Sequence, residues 1–545
     1  MKTKLFISFA AFVAASALMC SCSNEESADS NNNSNSNSNG QLTAFTGGIV
    51  TEAPMERMQL STPEISTEVP GFLTRTSMNR QDIGKEGAFL WEPKDVIYVK
   101  DDGGNLHKSQ NTINAAVDCA TFLVDGSYTK QEYNVYYCGT NSGAGEKKVV
   151  IANNQTLAAF NNTKHFGAVG DCGVAKATKT TVEGKSGYSF ELVHKASYLC
   201  FLPYMTIKVQ RENFRIKRIE ITSDNNIAGT YDLTQSGLSA TGTNESKTIT
   251  LNVGNDGLLL ADQAAETTSI KNSLYVVIAP GTHTLTVKYT ISDAKNTEAT
   301  ITESYKSHNF GANKICDIPV NLSVRHYSGH NHYMWDAKEN YWSGHEWDAV
   351  TPWQPTGMGA SDSRYPKSKA DVARWYHEGS SAFEVSNSLF KQLPNANEMA
   401  WYVLKGDAHW DNSTPWEVFG RIYKRGIWLM KLRDIADENG KDPDDLKLKD
   451  PYDKDLCASD GDYESHVKPK SGKPADIKIS KYFFLPALGY YYNGQFINFS
   501  IFGYYWSSSP ASKDSSNAYE LIFSSSNVHM SFTTRSFGYV ALPFE

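Results

Sequence analysis

The chain of 545 residues lacks the patterns that mark several classes of protein. Its net charge of −8 includes no block of basic residues, so nothing indicates nucleic acid or anionic lipid as a partner. It has no serine nucleophile elbow and no glycine-rich loop of the kind that holds phosphate. Its eight cysteines match no zinc-binding spacing and are too irregularly placed for a small disulfide scaffold. We therefore expect no catalytic activity.

Long apolar runs are also scarce, and the one sustained run lies at the N-terminus. Lys2 and Lys4 precede the apolar stretch Leu5–Met19. This stretch is shorter than the roughly 20 apolar residues of a transmembrane helix, and its flanks are typical of a removable signal peptide. The rest of the chain is expected to be soluble.

The apolar run ends in Met19–Cys22, which resembles the lipobox of bacterial lipoproteins. The small residue Ser21 precedes Cys22, so we expect residues 1–21 to be the signal peptide and Cys22 to be lipidated. Cys20 is the alternative site, and a cleaved signal peptide without any lipid is the other reading. The resemblance implies three acyl chains, two in a thioether-linked diacylglycerol and one attached to the amino group. Stable membrane anchoring requires only two such signals.

A polar segment follows the predicted lipidation site. Ser23–Glu26 resembles the surface-export signal of Bacteroidetes lipoproteins, which implies the outer face of the outer membrane. Ser30–Gly40 is almost entirely Asn and Ser and cannot bury enough apolar surface to become ordered. We expect residues 22–44 to form a flexible tether.

The next 280 or so residues have the alternation of an all-β region. Tyr275–Ile278 predicts a buried strand, Pro280–Thr282 a turn, and the alternating residues from Leu285 to Ile291 a strand with one buried face. We expect two tandem β-sandwich lobes, residues 45–182 and 183–324, with the junction within 153–182.

The C-terminal part has a mixed pattern. Residues 325–362 predict an aromatic-rich connector packed against the last domain, and residues 363–545 predict an α+β domain. Asn395–Glu398 is a capping-box pattern that predicts a helix ending at Gly406, and Ser368–Asp371 is a second such pattern. The charged stretch 434–481 is expected to be a loop.

Several blocks in the all-β region resemble the fimbrillin-like domains of Bacteroidetes. That family builds fimbriae or surface adhesins from two tandem β-sandwich lobes, and its members are lipoproteins. The resemblance implies strand addition to an exposed sheet edge after maturation at an arginine, for which Arg75 is the nearest candidate. The blocks are Thr74–Ser77, Phe89–Glu92, Asp95–Ile97, His194–Leu199, Gly229–Leu233 and Asn309–Lys314.

Four ordered blocks of the last domain resemble a C-type-lectin-like superfamily that includes the Fibrobacter major paralogous domain and formylglycine-generating enzymes. That family usually ends in Arg-Pro, whereas this chain has Leu542-Pro543. The enzymes need paired cysteines, and the domain has only Cys457, which argues against that activity. The blocks are Leu393–Met399, Leu485–Gly489, Gly503–Ser509 and Arg535–Val540.

The segment Tyr490–Phe537 also resembles the variable domain of proteins diversified by retroelements, which bind ligands through loops on a lectin-like fold. The alternative is ordinary β-sheet aromatics with exposed polar neighbours. If exposed, these side chains would form a contact surface of the kind enriched at interfaces. The candidate ligand-binding residues are Tyr491, Tyr492, Asn493, Phe496, Asn498, Phe499, Phe502, His529, Ser531, Phe532, Thr533 and Phe537.

No metal or other cofactor is expected. Four histidines lie close in sequence but lack a helical metal-binding spacing or a cysteine partner. Calcium is the alternative, because acidic residues cluster near Trp410 and in a later loop, although hard cations need six or more oxygen ligands. The residues in question are His326, His330, His332, His345, Asp407, Asp411, Asn412, Asp460 and Asp462.

These patterns together predict a non-catalytic adhesin or fimbrial tip subunit, anchored in the outer membrane by lipid, that presents a lectin-fold domain to a protein or glycan ligand. Two alternatives stay open. One is a structural fimbrial subunit without a ligand, which associates with other subunits. The other is an enzyme acting on glycans, for which Asp434, Asp437 and Glu438 form the densest acidic group, although they resemble a solvated helix face.

Overall fold

The computed structural model describes residues 42–47, 55–57, 77–80, 88–110, 113–141, 147–182, 185–260, 270–378, 385–459, 461, 463–512 and 514–545. Five predicted features lie outside these ranges: the signal peptide, the lipidation site Cys22, most of the tether, Arg75, and the Asp460 and Asp462 pair. Of the helices within the described ranges, none combines the length and the apolar character that crossing a membrane requires.

The chain divides into two compact units, which are described one at a time. Unit 1 comprises the described residues within Met1–Tyr204, Ile216–Tyr289 and Ile301–Asn321. Unit 2 comprises Met205–Arg215, Thr290–Thr300 and Leu322–Glu545.

Strands dominate the chain up to residue 321, as predicted. Two short helices, α1 (Phe166–Val169) and α2 (Lys208–Asn213), interrupt them. The strands are β1 (Thr43–Gly47), β2 (Met55–Arg57), β3 (Ser77–Asn79), β4 (Ala88–Leu90), β5 (Tyr98–Lys100), β6 (Leu106–Lys108), β7 (Ala120–Val124), β8 (Glu132–Tyr137), β9 (Lys148–Ile151), β10 (Asn154–Leu157), β11 (Gly173–Val182), β12 (Lys185–Phe190), β13 (Val193–His194), β14 (Ser197–Tyr204), β15 (Arg215–Ser223), β16 (Ala228–Thr234), β17 (Gly237–Leu238), β18 (Thr243–Ser246), β19 (Thr248–Val253), β20 (Leu258–Leu259), β21 (Leu274–Ile278), β22 (Gly281–Ser292), β23 (Glu298–Phe310) and β24 (Ile315–Asn321).

The first sheet of unit 1 has the order β6-β5-β8-β11-β12-β1-β7, with β13 added to β11. β1 lies inside this sheet, parallel to β12 and antiparallel to β7. A core of aromatic and branched side chains, among them Phe45, Trp91 and Phe122, packs on one of its faces. The predicted lobe boundary at 182/183 falls between β11 and β12, which pair as a hairpin, so it does not separate two sheets.

Three further sheets complete the main β structure of unit 1. Their orders are β10-β19-β15-β22-β23, β2-β24-β14-β21 and β17-β16-β18, with β20 added to β15 and β9 to β16. The predicted strands near residues 275–291 are confirmed as β21 and β22. All five residues of β21 are buried, and β22 alternates, with Leu285 and Val287 fully buried.

Unit 2 contains both helices and strands from Leu322 onward. The helices are α3 (Ala396–Lys405), α4 (Leu432–Asn439) and α5 (Asp445–Leu448). The strands are β25 (Arg325–His326), β26 (His332–Tyr333), β27 (His409–Asp411), β28 (Trp416–Val418), β29 (Arg421–Tyr423), β30 (Gly426–Met430), β31 (Tyr463–Val467), β32 (Lys470–Ser471), β33 (Tyr482–Pro486), β34 (Tyr490–Tyr492), β35 (Gln495–Ile497), β36 (Gly503–Pro510), β37 (Asn517–Phe523), β38 (Val528–Thr534) and β39 (Tyr539–Val540).

The capping box that begins α3 is confirmed. The Asn395 side chain accepts a hydrogen bond from the Glu398 backbone N–H at 3.0 Å, and Glu398 accepts one from the Asn395 N–H at 2.8 Å. Gly406 is the C-cap of the helix, as predicted. Ser368–Asp371, in contrast, begins only turns, in which Asp371 accepts a hydrogen bond from the nearby Arg374 N–H. The expected loop 434–481 was also wrong, since most of α4 and all of α5, β31 and β32 lie there.

The predicted connector is part of the core of unit 2. Met334, Tyr341 and Trp342 are buried in one cluster with α3 and with the inner side chains of β36–β38. Trp335 is buried in a second cluster with Phe390 and other residues. Residues 325–362 therefore fold with the C-terminal domain.

Candidate functional site: an outward-facing sheet surface in unit 2

The candidate site lies on a six-stranded sheet of unit 2 with the order β26-β39-β36-β37-β38-β31. Side chains alternate between the two faces of each strand, and paired residues share a face. Leu521 pairs with Tyr505 and Met530, and all three are buried in the core on the α3 side. Glu520 pairs with Ser531 and therefore points to the opposite face.

We call that opposite face the outer face. The pairs Tyr504–Ile522, Ile522–His529, Glu520–Ser531 and Ala518–Thr533 lie on it. Tyr504, Ile522, His529, Ser531 and Thr533 are all half-buried there. The register of β36, β37 and β38 thus brings hydroxyl, imidazole and phenol groups to one face. Part of this face is covered, because Trp506 and Ala518 are buried there with Trp335 and Phe390.

A row of aromatic rings continues the outer face along the β34–β35 hairpin. The ring centroids of Tyr490 and Tyr504 are 4.5 Å apart, and those of Phe502 and Tyr504 are 5.9 Å apart. The Phe537 ring lies 5.7 Å from Tyr490 and 4.8 Å from Tyr492. Tyr492 is 42% exposed, and the other four residues are half-buried. Large side chains that remain accessible in a connected row are typical of contact surfaces.

Eight of the twelve predicted residues are accessible on this side of the sheet or beside it. Asn498 donates a hydrogen bond to the Tyr504 hydroxyl at 2.8 Å and so adjoins the aromatic row. The eight residues are Tyr492, Asn493, Asn498, Phe502, His529, Ser531, Thr533 and Phe537.

Four predicted residues do not belong to the surface. Tyr491, Phe496 and Phe499 are buried in the core of unit 2. The Tyr491 hydroxyl donates there to the Pro355 carbonyl at 2.6 Å. Phe532 points to the face opposite Ser531 and packs near Tyr519, with ring centroids 5.8 Å apart. β35 ends at Ile497, so Asn498, Phe499 and Phe502 lie in the segment between β35 and β36.

A small pocket adjoins the outer face. Its volume is about 160 Å³, and Asn493 and Ser536, which contribute to it, are next in sequence to Tyr492 and Phe537. The remaining lining is mostly aromatic and apolar: Met334, Tyr341, Tyr365, Pro366, Lys367 and Trp375. Local sequence patterns do not predict this pocket, because its walls come from segments more than 100 residues apart.

Glu520 is the unusual group of the outer face. It is 3% exposed, and its Oε2 atom has no hydrogen-bond partner among the described residues. Burial raises the pKa of its carboxyl group to about 8, and the hydrogen bond with Tyr539 only partly opposes this effect. Near neutral pH the Glu520 carboxyl group is therefore mainly protonated. It places little negative charge next to Tyr490 and Tyr504 of the aromatic row.

The four histidines considered for metal binding have separate partners. His326 contacts Glu417 at 2.5 Å, His330 contacts Asp348 at 2.8 Å, and His345 and His332 lie within hydrogen-bonding distance of backbone carbonyls. Burial lowers the pKa of His332 to about 4. Within the described ranges, no group of three or more His, Cys, Asp or Glu side chains is placed to hold a metal ion.

The acidic residues near Trp410 are likewise engaged with protein donors. Asp411 accepts hydrogen bonds from Ser413, Thr414 and the Trp428 indole N–H. Asp407 pairs with Lys470 and accepts a hydrogen bond from Tyr482 at 2.7 Å, and Asn412 accepts one from Trp410. Both carboxylate oxygens of Asp411 and of Asp407 therefore have donors within the protein.

The remaining cysteines and the acidic residues of α4 lie in separate surroundings. Cys119, Cys138, Cys172, Cys200 and Cys316 are buried and unbridged, and Cys457 is exposed and unbridged. Asp434 and Glu438 lie on α4, as expected for a solvated helix face, and both contact Lys481.

No protein-family model matches the chain, and no curated protein matches it. Several solved structures do. A candidate cell adhesion protein from Bacteroides ovatus is 12% identical, with a TM-score of 0.30, over 52% of this chain and 93% of that one. A fimbrial protein from the same species is 10% identical, with a TM-score of 0.22, over 84% and 96%. The fimbrial anchor protein Mfa2 from Porphyromonas gingivalis is 8% identical, with a TM-score of 0.20, over 48% and 82%. Because these TM-scores are below 0.5, the similarities do not establish a family or a function for this chain.

Proposed function

We propose that this protein is a lipid-anchored, non-catalytic adhesin of the bacterial surface that binds its ligand through the outer face of unit 2. The lipobox pattern at Cys22 supports the anchor, and the Asn/Ser tract supports a tether long enough to hold the folded units away from the membrane. The observation that carries the binding role is the accessible aromatic row of Tyr490, Tyr492, Phe502, Tyr504 and Phe537, beside the hydroxyl groups of β38.

The chemistry of the outer face favours a largely uncharged ligand surface, either protein or glycan. Aromatic rings supply apolar area at a small conformational-entropy cost, and they suit sugar faces and protein side chains alike. Ser531 and Thr533 add hydrogen-bonding groups, and Glu520 adds little charge near neutral pH because its pKa is raised to about 8. Binding is therefore expected to depend only weakly on salt concentration.

The test is a binding screen with the lipid-free mature chain, using a glycan array and a panel of immobilised extracellular matrix proteins. Any ligand found is then titrated against Tyr492→Ala and Phe537→Ala. Because truncation of a central aromatic residue in an interface costs about 2 kcal/mol or more, each variant should weaken binding by roughly thirtyfold.

Tyr452→Ala is the matched control, since Tyr452 is also an exposed tyrosine of unit 2, at 65%, but does not belong to the aromatic row. It should bind as well as the wild type does. Equal binding by the wild type, Tyr492→Ala and Phe537→Ala would contradict the assignment of the outer face.

A second candidate function is that of a fimbrial subunit that polymerises by strand addition. One observation favours it: β1, which precedes Arg75 in the chain, lies inside the first sheet between β12 and β7. If a protease cleaved after Arg75 and β1 left, the edges of β12 and β7 would be free to accept a strand from another subunit.

This second candidate is tested by treating the purified chain with an arginine-specific protease and following its size by chromatography and electrophoresis without boiling. Cleavage after Arg75 should produce a ladder of oligomers, and Arg75→Ala should remain monomeric under the same treatment. A cleaved chain that stays monomeric would exclude polymerisation by this route.

A further inference from the structure

Unit 1 contains a larger cavity that belongs to none of the sites described so far. Its volume is about 490 Å³, within the range of about 300–1,000 Å³ that is usual for small-molecule sites. Its walls come from the β16–β17–β18 sheet and the residues just before it, the loop that joins β17 to β18, and the segment Ala279–His283, which leads into β22. We call it the unit 1 cavity.

One buried side chain in the wall of this cavity has an unused polar atom. His283 is 2% exposed, and its Nδ1 atom is 3.0 Å from the Ser223 hydroxyl. Its Nε2 atom has no hydrogen-bond partner among the described residues. Depending on the tautomer, Nε2 is a donor or an acceptor, and a ligand hydroxyl group can satisfy either. A buried polar atom without a partner is costly unless a ligand or water occupies the site.

Lys195 supplies a donor at the same cavity. It is half-buried, and no described residue forms an ion pair or hydrogen bond with its ammonium group. Its aliphatic stem passes close to Gly237, where an added Cβ would lie 3.8 Å from the Lys195 Cδ. The ammonium group can therefore donate to a ligand oxygen.

Acceptors complete the wall. Glu245 accepts hydrogen bonds from Asn226 Nδ2 and from the Gly242 N–H, both at 2.8 Å, which hold its carboxylate in place and leave lone pairs free. Asn225 donates through Nδ2 to the Thr282 carbonyl at 2.9 Å, which leaves its side-chain oxygen as an acceptor. The wall thus combines one cationic donor, one anionic acceptor and neutral amide groups.

From this arrangement we infer that the unit 1 cavity binds a neutral saccharide. Sugar hydroxyl groups donate and accept at once, so they match a wall on which donors and acceptors alternate. The charges of Lys195 and Glu245 balance, which removes any preference for an acidic ligand. Leu238, Pro280 and Tyr231 add apolar surface for the C–H groups of a sugar ring. This inference does not rest on the role proposed for the outer face.

The test is saturation-transfer NMR on the lipid-free mature chain with free galactose, mannose, N-acetylglucosamine, lactose and maltose, followed by titration of those that bind. Glucuronic acid and N-acetylneuraminic acid are the acidic probes. Lys195→Met and Asn226→Ala are the cavity variants. Loss of the charged hydrogen bond from Lys195 should weaken binding of a neutral sugar about tenfold or more.

Two control variants separate this site from others. Lys179→Ala removes an exposed lysine of unit 1 that does not line the cavity, and Tyr452→Ala removes an exposed tyrosine of unit 2 that belongs to neither proposed site. Both should bind the sugar as the wild type does. The inference is overturned if no neutral saccharide binds, if only the acidic sugars bind, if both cavity variants keep full affinity, or if Tyr452→Ala abolishes binding.

Discussion

Glu520 connects the chemistry of the outer face with the stability of unit 2. Its neighbours are Tyr539, whose hydroxyl group bonds to it, the nearby phenols of Tyr490 and Tyr504, and Ser531 on the adjacent strand. Because burial disfavours the ionised form, the carboxyl group holds its proton in the folded chain at pH values where the unfolded chain has released it. Between about pH 4.5, the usual pKa of a glutamate carboxyl group, and about pH 8, its pKa in the folded chain, the folded state therefore binds more protons than the unfolded state.

We predict that the stability contribution of Glu520 is fully present below about pH 4.5, the usual pKa of its carboxyl group, and is lost as the pH rises through about 8. Over that interval the slope approaches about 1.4 kcal/mol per pH unit. Glu520→Gln keeps the shape but cannot ionise, so it should be more stable than the wild type at pH 8 and similar to it at low pH. Calorimetry at a series of pH values measures this.

Glu191→Gln is the control for this prediction, because Glu191 is exposed in unit 1. It should leave the pH dependence of both units unchanged. If Glu520→Gln retained the pH dependence of the wild type, the carboxyl group would not be protonated in the fold as described.

A second residue-scale feature is the buried ion pair of unit 1. Arg80 donates from Nη1 and Nη2 to the two Asp317 carboxylate oxygens at 2.7 and 2.6 Å, and neither side chain is exposed to solvent. A bidentate pair of this kind compensates the cost of removing both charges from water only while both partners are present.

We predict that Asp317→Asn lowers the free energy of unfolding by about 3–5 kcal/mol, because it leaves the Arg80 guanidinium group buried without its counterion. The double variant Arg80→Met with Asp317→Leu should lose much less, since neither charge is then buried. Urea unfolding of the single and double variants measures both values. A double variant as unstable as Asp317→Asn would show that packing, not the unpaired charge, dominates at this position.

At the scale of elements, the β34–β35 hairpin positions the aromatic row. Tyr491 pairs with Phe496 and Tyr492 with Gln495, so the turn consists of Asn493 and Gly494. Both have positive φ values, 49° and 77°, which suits a two-residue hairpin turn. A Cβ at Gly494 would lie 2.1 Å from the Asp362 carbonyl oxygen and 2.6 Å from the Tyr365 ring.

We predict that Gly494→Ala destabilises unit 2 and weakens any ligand binding that uses Tyr492, because the turn must move away from Asp362. Gly440→Ala is the matched control, since Gly440 also has a positive φ of 63° but has no atom within 4 Å of an added Cβ. The control should lose only the conformational cost of about 1 kcal/mol, whereas Gly494→Ala should lose clearly more. Equal losses in thermal unfolding would mean that the turn tolerates the clash.

Elements also differ in how far local sequence determines them. The α3 helix begins and ends where its capping residues predict, because capping hydrogen bonds form between residues three apart. The pattern at Ser368–Asp371 looks the same in sequence but produces turns. The difference lies beyond the local sequence, since α3 buries Met399, Ala400 and Val403 against the inner side chains of the sheet.

At the scale of the whole molecule, the proposed lipid anchor would decide where the protein works. We predict that Cys22→Ser moves the protein from the membrane fraction to the soluble fraction, because the acyl chains supply the membrane affinity. Detergent partitioning of cell fractions measures this, and Cys20→Ser is the matched control that should remain in the membrane fraction. If Cys20→Ser is released and Cys22→Ser is not, then Cys20 is the lipidated residue. If neither is released, the anchor does not depend on these cysteines.

Local sequence patterns alone predict the features that depend on near neighbours: the mainly β character up to residue 321, the buried strand β21, the alternating strand β22 and the capped helix α3. Alternation and capping act within a few residues and can be read directly from the chain. The tertiary structure alone decided which aromatic residues near the C-terminus are accessible. Tyr491 and Tyr492 are neighbours of the same type, yet one is in the core and the other at the surface, because strand register and the packing of residues 325–362 assign the two faces.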